Sequence, residues 1–402
     1  MSVPRFVRAS CALLVLAVVV GCAAPRPRPS LARPMVSTPY RGIPVMRVLV
    51  VENASPSDNV SFSVSGACTA FRYSDSATIS DFNGISPCRV SVSKGSVYLG
   101  NMMLPASAVE IVPHPGSYCS VDGVQYDGNM SILTTSSGGF NIVNAVDLES
   151  YVKGVIVSEV SQDWPPAALQ AQAIAARTYA LWKMESGNNR DYDLVSTVRD
   201  QAYSGRSRRQ SVPDQAADDT LGSVLLWKGR LIPAYYHSSS GGYTENAYNV
   251  WHTFDIPPLA GREVPYSAGS PHSSWKKVLT PAQIELALRA KGMNVTGVKD
   301  VIPDNYTRSG RPTHLRIVHS KGELRIGSND FRLAVGPGSS GLKSTKFRVH
   351  KEGANFVFIG SGYGHGVGMD QYAVRNMALE GMSALDIVTF FYPEVEVLRA
   401  YR

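Results

Sequence analysis

A carboxylate stands where a helix needs an apolar side chain, and that conflict governs the reading of the whole chain. Residues 147–184 run D-L-E-S-Y-V-K-G-V-I-V-S-E-V-S-Q-D-W-P-P-A-A-L-Q-A-Q-A-I-A-A-R-T-Y-A-L-W-K-M, which reads as two helices meeting at one acid. In the first, Val152, Val155 and Ile156 form a buried stripe at i, i+3 and i+4, and the i+7 slot is Glu159. Burial disfavours the charged form, so such a glutamate keeps its proton nearer neutrality, as a general acid requires. The second helix opens at Pro165-Pro166 and is rich in alanine, which lets another backbone come close. On it Ile174, Arg177 and Leu181 share a face, so Arg177 also falls in a core position. The same spacing fits a structural reading, in which Glu159 and Arg177 form a buried ion pair or are each satisfied by backbone.

At 402 residues, 44% hydrophobic and 18% charged, the chain is globular and long enough for two or three cores. Of its net +7, five charges are Arg5, Arg8, Arg26, Arg28 and Arg33, ahead of any acid, so the rest carries only 7 − 5 = +2. No basic run is interleaved with aromatics, which argues against nucleic acid as a partner. Arg5 and Arg8 precede an apolar run over residues 12–20, too short to span a membrane, and Val19-Val20-Gly21-Cys22 follows it. Residues 1–21 thus resemble a bacterial lipoprotein signal, with Cys22 lipidated and the mature protein held on the outer face of the plasma membrane. An ordinary secretory signal is the alternative, and either exports the chain. Cys68, Cys88 and Cys119 remain, an odd number for an oxidising compartment; one disulfide and one spare thiol is the expectation, with Cys68–Cys88 the first guess. No cysteine spacing suits zinc, and neither a metal nor another cofactor is expected.

Residues 22–44, rich in Pro, Arg and Ser, read as a tether. Residues 45–145 hold short β-type runs at 47–51, 60–64, 90–99, 108–112, 130–133 and 140–143, with tight turns at Asp122-Gly123 and Asp127-Gly128. Residues 146–402 carry the helical pair, an extended segment over 192–203, a short helix over 215–221, and strands at 224–227 and 234–236. The last strand runs into His237-Ser238-Ser239-Ser240-Gly241-Gly242, a run suited to close approach by a ligand or to a plain turn. Further on, Thr280 caps a helix over 281–291, residues 328–332 open a short helix, and a strand at 356–359 leads into alternating glycines around His365. A helix over 370–379 follows. The G-x-G-x-x-G spacing is absent, which excludes a dinucleotide site. The fold class expected is mixed α+β, a β-rich N-terminal part followed by an α/β catalytic part.

Several motifs together resemble the stage II sporulation protein D (SpoIID)/LytB family. They are Leu148-Glu149-x-Tyr151, the acid after a hydrophobic stretch, Ala168-Leu169-x-Ala171-Gln172-Ala173-x-Ala175-Ala176-Arg177-Thr178-Tyr179-Ala180, Gln201-Ala202-Tyr203-Ser204-Gly205, the His237–Gly242 run, and Gly364-His365-Gly366-Val367-Gly368-Met369 with Gln371-Tyr372. The likeness covers the chain from about residue 47 onward. It implies a peptidoglycan lytic transglycosylase acting on glycan strands stripped of stem peptides, with Glu159 as the catalytic acid. Arg177, Gln201, Tyr203, His237, Ser239, Ser240, Gly241, Gly242, His365, Gly366 and Gln371 are then expected to orient or bind substrate. Val160 stands where the family usually has Met, and Asp370 where it usually has Ser, which would alter the charge of the groove. A hydrolase needs a second carboxylate, for which Asp163, Asp200 and Asp370 are candidates; a transglycosylase uses the substrate's own C6 hydroxyl. The alternative function is a non-catalytic, strand-binding enhancer of a cell-wall amidase.

Overall fold

The computed structural model describes residues 40–401 apart from Asn188, Arg190 and Ser339; the signal, Cys22 and the tether up to residue 39 lie outside the described residues. The architecture is mixed α+β. Two sheets are built from the β-rich part. In the first, of seven strands, Val45–Ala54 lies at the centre of one end, between the short parallel strand Leu194–Val195 and the antiparallel strand Phe140–Asp147. The second has six strands, and in it Asp122 (φ 48°) and Gly123 (φ 80°) turn Cys119–Val121 back onto Val124–Tyr126. Left-handed backbone at both turn residues is what an Asp-Gly hairpin requires. Residues 90–99, expected as one run, are the end of one strand and the whole of the next, folded over at Lys94-Gly95.

Eight helices are described: α1 (Leu148–Glu159), α2 (Pro166–Ser186), α3 (Ser211–Asp219), α4 (Ala247–Trp251), α5 (Pro281–Ala290), α6 (Ser328–Ala334), α7 (Gln371–Leu379) and α8 (Ala384–Phe391). Asp147 caps α1, its Oδ1 accepting from Ser150 N at 2.9 Å, so the helix starts where the strand Phe140–Asp147 ends. Thr280 caps α5 in a reciprocal box with Gln283, as its sequence predicts. Residues 192–203, expected to be extended, form a strand only at Leu194–Val195.

One core runs through both sheets, α1 and α2: Val48, Phe62, Val90 and Ile111 share it with Val152, Ile156, Leu169 and Leu181, and Tyr401 closes it. A second core gathers Trp275, Ile284, Leu288, Phe331, Phe356 and Phe358 under two three-stranded sheets. Between these cores, Tyr236-His237 and Met369-Asp370 pair as a short parallel ladder, which brings two distant loops to α1 and α2. Cys68, Cys88 and Cys119 are all free thiols, contrary to the expected disulfide; Cys68 and Cys88 sit on strands of different sheets. Among the described residues no helix is long and apolar enough to cross a membrane.

Candidate active site

Glu159 is the last residue of α1 and keeps partial exposure. Its position depends on how closely the loop at residues 201–205 approaches the helix. A Cβ at Gly154 would meet Gly205 O at 2.5 Å and the Tyr203 ring at 2.6 Å, so only glycine lets the loop lie on this turn. That approach delivers the Ala202 N–H to Glu159 Oε1 at 2.7 Å. On the far side Gln371, first residue of α7, points Nε2 at Glu159 Oε2 from 3.5 Å, a long and weak contact, and at Gln172 Oε1 from 3.4 Å. Tyr236 also hydrogen-bonds to the acid, and its hydroxyl accepts from Gln201 Nε2 at 3.0 Å. Gln201 in turn accepts from Tyr151 Oη at 2.9 Å, so a relay of neutral groups backs the carboxyl.

The Glu159 side chain keeps partial exposure, yet its carboxyl is poorly solvated. Burial pushes its pKa above the ordinary carboxylate range; the hydrogen bonds from Ala202, Gln371 and Tyr236 pull the other way without cancelling the effect. No cation is paired with it among the described residues. A reachable carboxyl with a raised pKa is what a general acid needs.

Of the three other carboxylates considered, Asp370 and Asp200 are engaged and Asp163 is exposed. Asp370 is 0% exposed: its Oδ2 accepts from Ser240 N (2.7 Å), Ser240 Oγ (2.6 Å) and Ser267 Oγ (2.8 Å), while Oδ1 caps α7 through Ala373 N (3.0 Å). It clamps a loop to a helix and places Gln371, rather than altering the charge of an open groove. Asp200 accepts from Tyr179 Oη, Lys183 Nζ and Val195 N, each at 2.9 Å. Asp163 is exposed beside Ser161.

Of the residues expected to meet substrate, Gln371 contacts Glu159, His365 lines a separate cavity with Tyr236, and several others are structural. Arg177 is 0% exposed and forms a two-pronged ion pair with Glu149 (Nε–Oε1 2.9 Å, Nη2–Oε2 2.7 Å), with further bonds to Ala217 O and Ser223 O. It is a core position, as periodicity predicts, and its guanidinium is taken up by a closed network rather than left open to a substrate. Tyr203 is likewise buried, its hydroxyl bonded to Asn144 Oδ1 at 2.9 Å and its ring 4.9 Å from that of Tyr151. Gln201 is buried and reaches Glu159 only through Tyr236. His237 is buried with Nδ1 3.0 Å from Val367 O; burial, then the nearby Arg311 charge, push its pKa down to about 3, so it is neutral. Ser239 and Ser240 are buried, Ser239 pairing by backbone with Tyr363. Gly241 and Gly242 hold positive φ, and Gly241 O accepts from Lys346 Nζ at 2.6 Å. At Gly366 a Cβ would lie 2.5 Å from the Arg311 guanidinium, so this glycine makes room for an arginine of the protein itself. His365 is half-buried, its ring 5.1 Å from Trp251 and 5.6 Å from His237, and burial holds it neutral.

Tyr236, Gln172 and the Ala202 amide were not foreseen. Gln172 carries a signal in retrospect, an amide among alanines on a helix with no exposed face to hold it. Trp164 and Tyr372, which follows Gln371 in sequence, are half-buried with rings 5.6 Å apart, and His272 continues the line 5.9 Å from Tyr372. Among the described residues no group of three or more His, Cys, Asp or Glu is arranged to hold a metal ion.

Comparison with known proteins gives this geometry a context. A family model described as stage II sporulation protein (SpoIID) matches residues 136–227, the span that contains α1, α2 and the 201–205 loop, and a domain of unknown function (DUF8618) matches 267–368, around the second core. The chain is 30% identical over 274 residues to stage II sporulation protein D of Bacillus subtilis, covering 64% of this chain and 76% of that one. An uncharacterized protein of Brachyspira hyodysenteriae is 30% identical over 287 residues, covering 69% and 74%. The amidase enhancer of Bacillus subtilis is 26% identical over 356 residues, 76% of this chain but only 49% of that longer protein. By sequence, this chain belongs to the stage II sporulation protein D family.

Proposed function

We propose that the protein is an exported peptidoglycan lytic transglycosylase, lipid-anchored through Cys22, that cleaves the bond after N-acetylmuramic acid in peptide-stripped glycan strands. The observation that carries this reading is Glu159, a partly exposed carboxyl whose pKa burial raises and whose partners are neutral donors, while Asp370 and Asp200 are engaged elsewhere. Glu159 gives its proton to the leaving glycosidic oxygen. The substrate's C6 hydroxyl then closes on C1 and returns its proton to the same glutamate, leaving a 1,6-anhydro end. One carboxyl serves both halves, and no second base is required. The Ala202 N–H, Tyr236 and Gln371 steady Glu159 in its ionised interval, and the Trp164–Tyr372 pair offers stacking surface along the strand. In this reading residues 45–145 support and present the substrate, and residues 146–402 carry the chemistry.

The test is mass spectrometry of products when protein from residue 41 onward, and its Glu159→Gln variant, meet strands with and without stem peptides. Anhydro ends from the unaltered protein and none from the variant support the proposal; reducing ends would replace it with hydrolysis. The likeness to the amidase enhancer favours a second reading, strand binding that assists an amidase. Retention on strands without cleavage by either form would establish that one.

A further inference from the structure

On the other side of Tyr236 from the acid lies a cavity of about 220 Å³ that no step above uses. Its walls are aromatic: Tyr179, Tyr235, Tyr236, Trp251 and the His365 ring, with Tyr235 and Trp251 4.4 Å apart and 32° from parallel. Arg332, from α6, is set into this wall and is 7% exposed. Its Nε bonds to Leu342 O (3.2 Å) and Lys343 O (3.3 Å) and Nη1 to Asn329 Oδ1 (3.4 Å), all neutral acceptors. The other charges of the wall are neutralised in place. Asp200 has Lys183, and Arg199 has Glu52. Burial lowers the Arg332 pKa to about 10, which still leaves it charged at neutral pH. A cation held out of water without a counter-ion destabilises a fold unless something supplies the negative charge. The cavity is smaller than the roughly 300–1,000 Å³ of drug-sized sites, so it suits one ring rather than a length of strand.

We infer that this cavity is a saccharide subsite in which a sugar ring rests against Trp251 and Tyr235 and Arg332 pairs with a carboxylate on that sugar. The inference rests on the transglycan substrate proposed above. In such a strand the carboxylate is the lactyl group of a muramic residue, which is free only where the stem peptide has been removed and is otherwise consumed in an amide. Arg332 would then make the enzyme prefer stripped strands. It is a specificity residue one tyrosine side chain away from the acid, since Tyr236 both lines the cavity and bonds to Glu159.

The experiment measures binding in the Glu159→Gln background, so that turnover does not interfere. The ligands are stripped strands, stripped strands methyl-esterified at the lactyl carboxyl, and strands bearing stem peptides. A charge-assisted contact of this kind predicts tenfold or more weaker binding for the ester and the peptide-bearing strands. Arg332→Met should abolish the difference and Arg332→Lys should keep part of it. Equal affinity for ester and free acid overturns the inference, and that arm uses protein unaltered at Arg332, so it holds even where Arg332→Met fails to fold. Arg332-dependent binding of peptide-bearing strands as tight as of stripped ones also overturns it, by assigning the charge to the stem. Anhydro products without carboxylate preference would sink this subsite alone; carboxylate-dependent binding without cleavage would sink the catalytic reading alone.

Discussion

Helix α1 carries a carboxylate at each end, and their surroundings differ. Glu149, in the first turn, faces the Arg177 guanidinium, the Gly222 N–H at 3.1 Å and the Tyr401 hydroxyl. Glu159, in the last turn, has only neutral donors, and burial raises its pKa. The first is a closed network in which charge is matched and geometry fixed. The second is a carboxyl that can release and recover a proton. Residue type is the same and Glu159 is the more exposed, so two things set them apart: Glu149 has a counter-ion, and Glu159 has only neutral donors and a way out to solvent.

That contrast can be broken or sharpened by experiment. Glu159→Gln should lower cleavage of stripped strands by about 10²–10⁴-fold with circular dichroism unchanged. Glu149→Gln, assayed where the protein is still folded, should retain most turnover; equal losses would erase the distinction. At the other end, Arg177→Met should destabilise by about 3–5 kcal/mol in denaturant titrations, because it leaves Glu149 buried without its partner. Adding Glu149→Gln to it should recover part of that loss. Gln371→Leu removes a donor that favours ionised Glu159, so the alkaline limb of kcat/KM should move to higher pH; movement to lower pH would mean that Gln371 acts otherwise.

The smallest effect is on stability. A carboxyl whose folded pKa exceeds its unfolded one contributes most below the unfolded value of about 4.3, and the contribution is lost as pH rises through the folded pKa. Unaltered protein should therefore lose melting temperature relative to Glu159→Gln as pH climbs from 4 past the raised value. Parallel curves would show that the acid is not desolvated.

Glu159 was legible because helical periodicity is local: three apolar residues define a stripe and the fourth breaks it. Arg177 was legible as a core position for the same reason, but its partner was not, since Glu149 lies 28 residues away on another helix. The cap at Thr280 follows from residue type and spacing, whereas Asp370, read as a charge in the groove, is the cap of the helix it was expected to belong to. The glycine and serine loops misled more. His237–Gly242 and the segment around His365 have the composition of ligand-contacting loops, yet much of that open backbone accommodates Arg311 and Asp370 from the same chain. Sequence shows that backbone is left open, not what fills the opening. Arg332 could not be singled out at all, because a lone arginine in a short helix stands out only once its acceptors among the described residues are seen to be neutral.

Helix α2 joins the two ends of the comparison. Gln172 meets the Gln371 that borders the acid, and Arg177 holds Glu149; five residues separate them, about 7.5 Å along the axis. The helix is thus a ruler with two marks. A one-residue insertion between them turns the second mark by about 100° relative to the first, taking the guanidinium away from Glu149 or the amide away from the acid. Substitutions can separate folding from chemistry in this protein; slippage of α2 cannot.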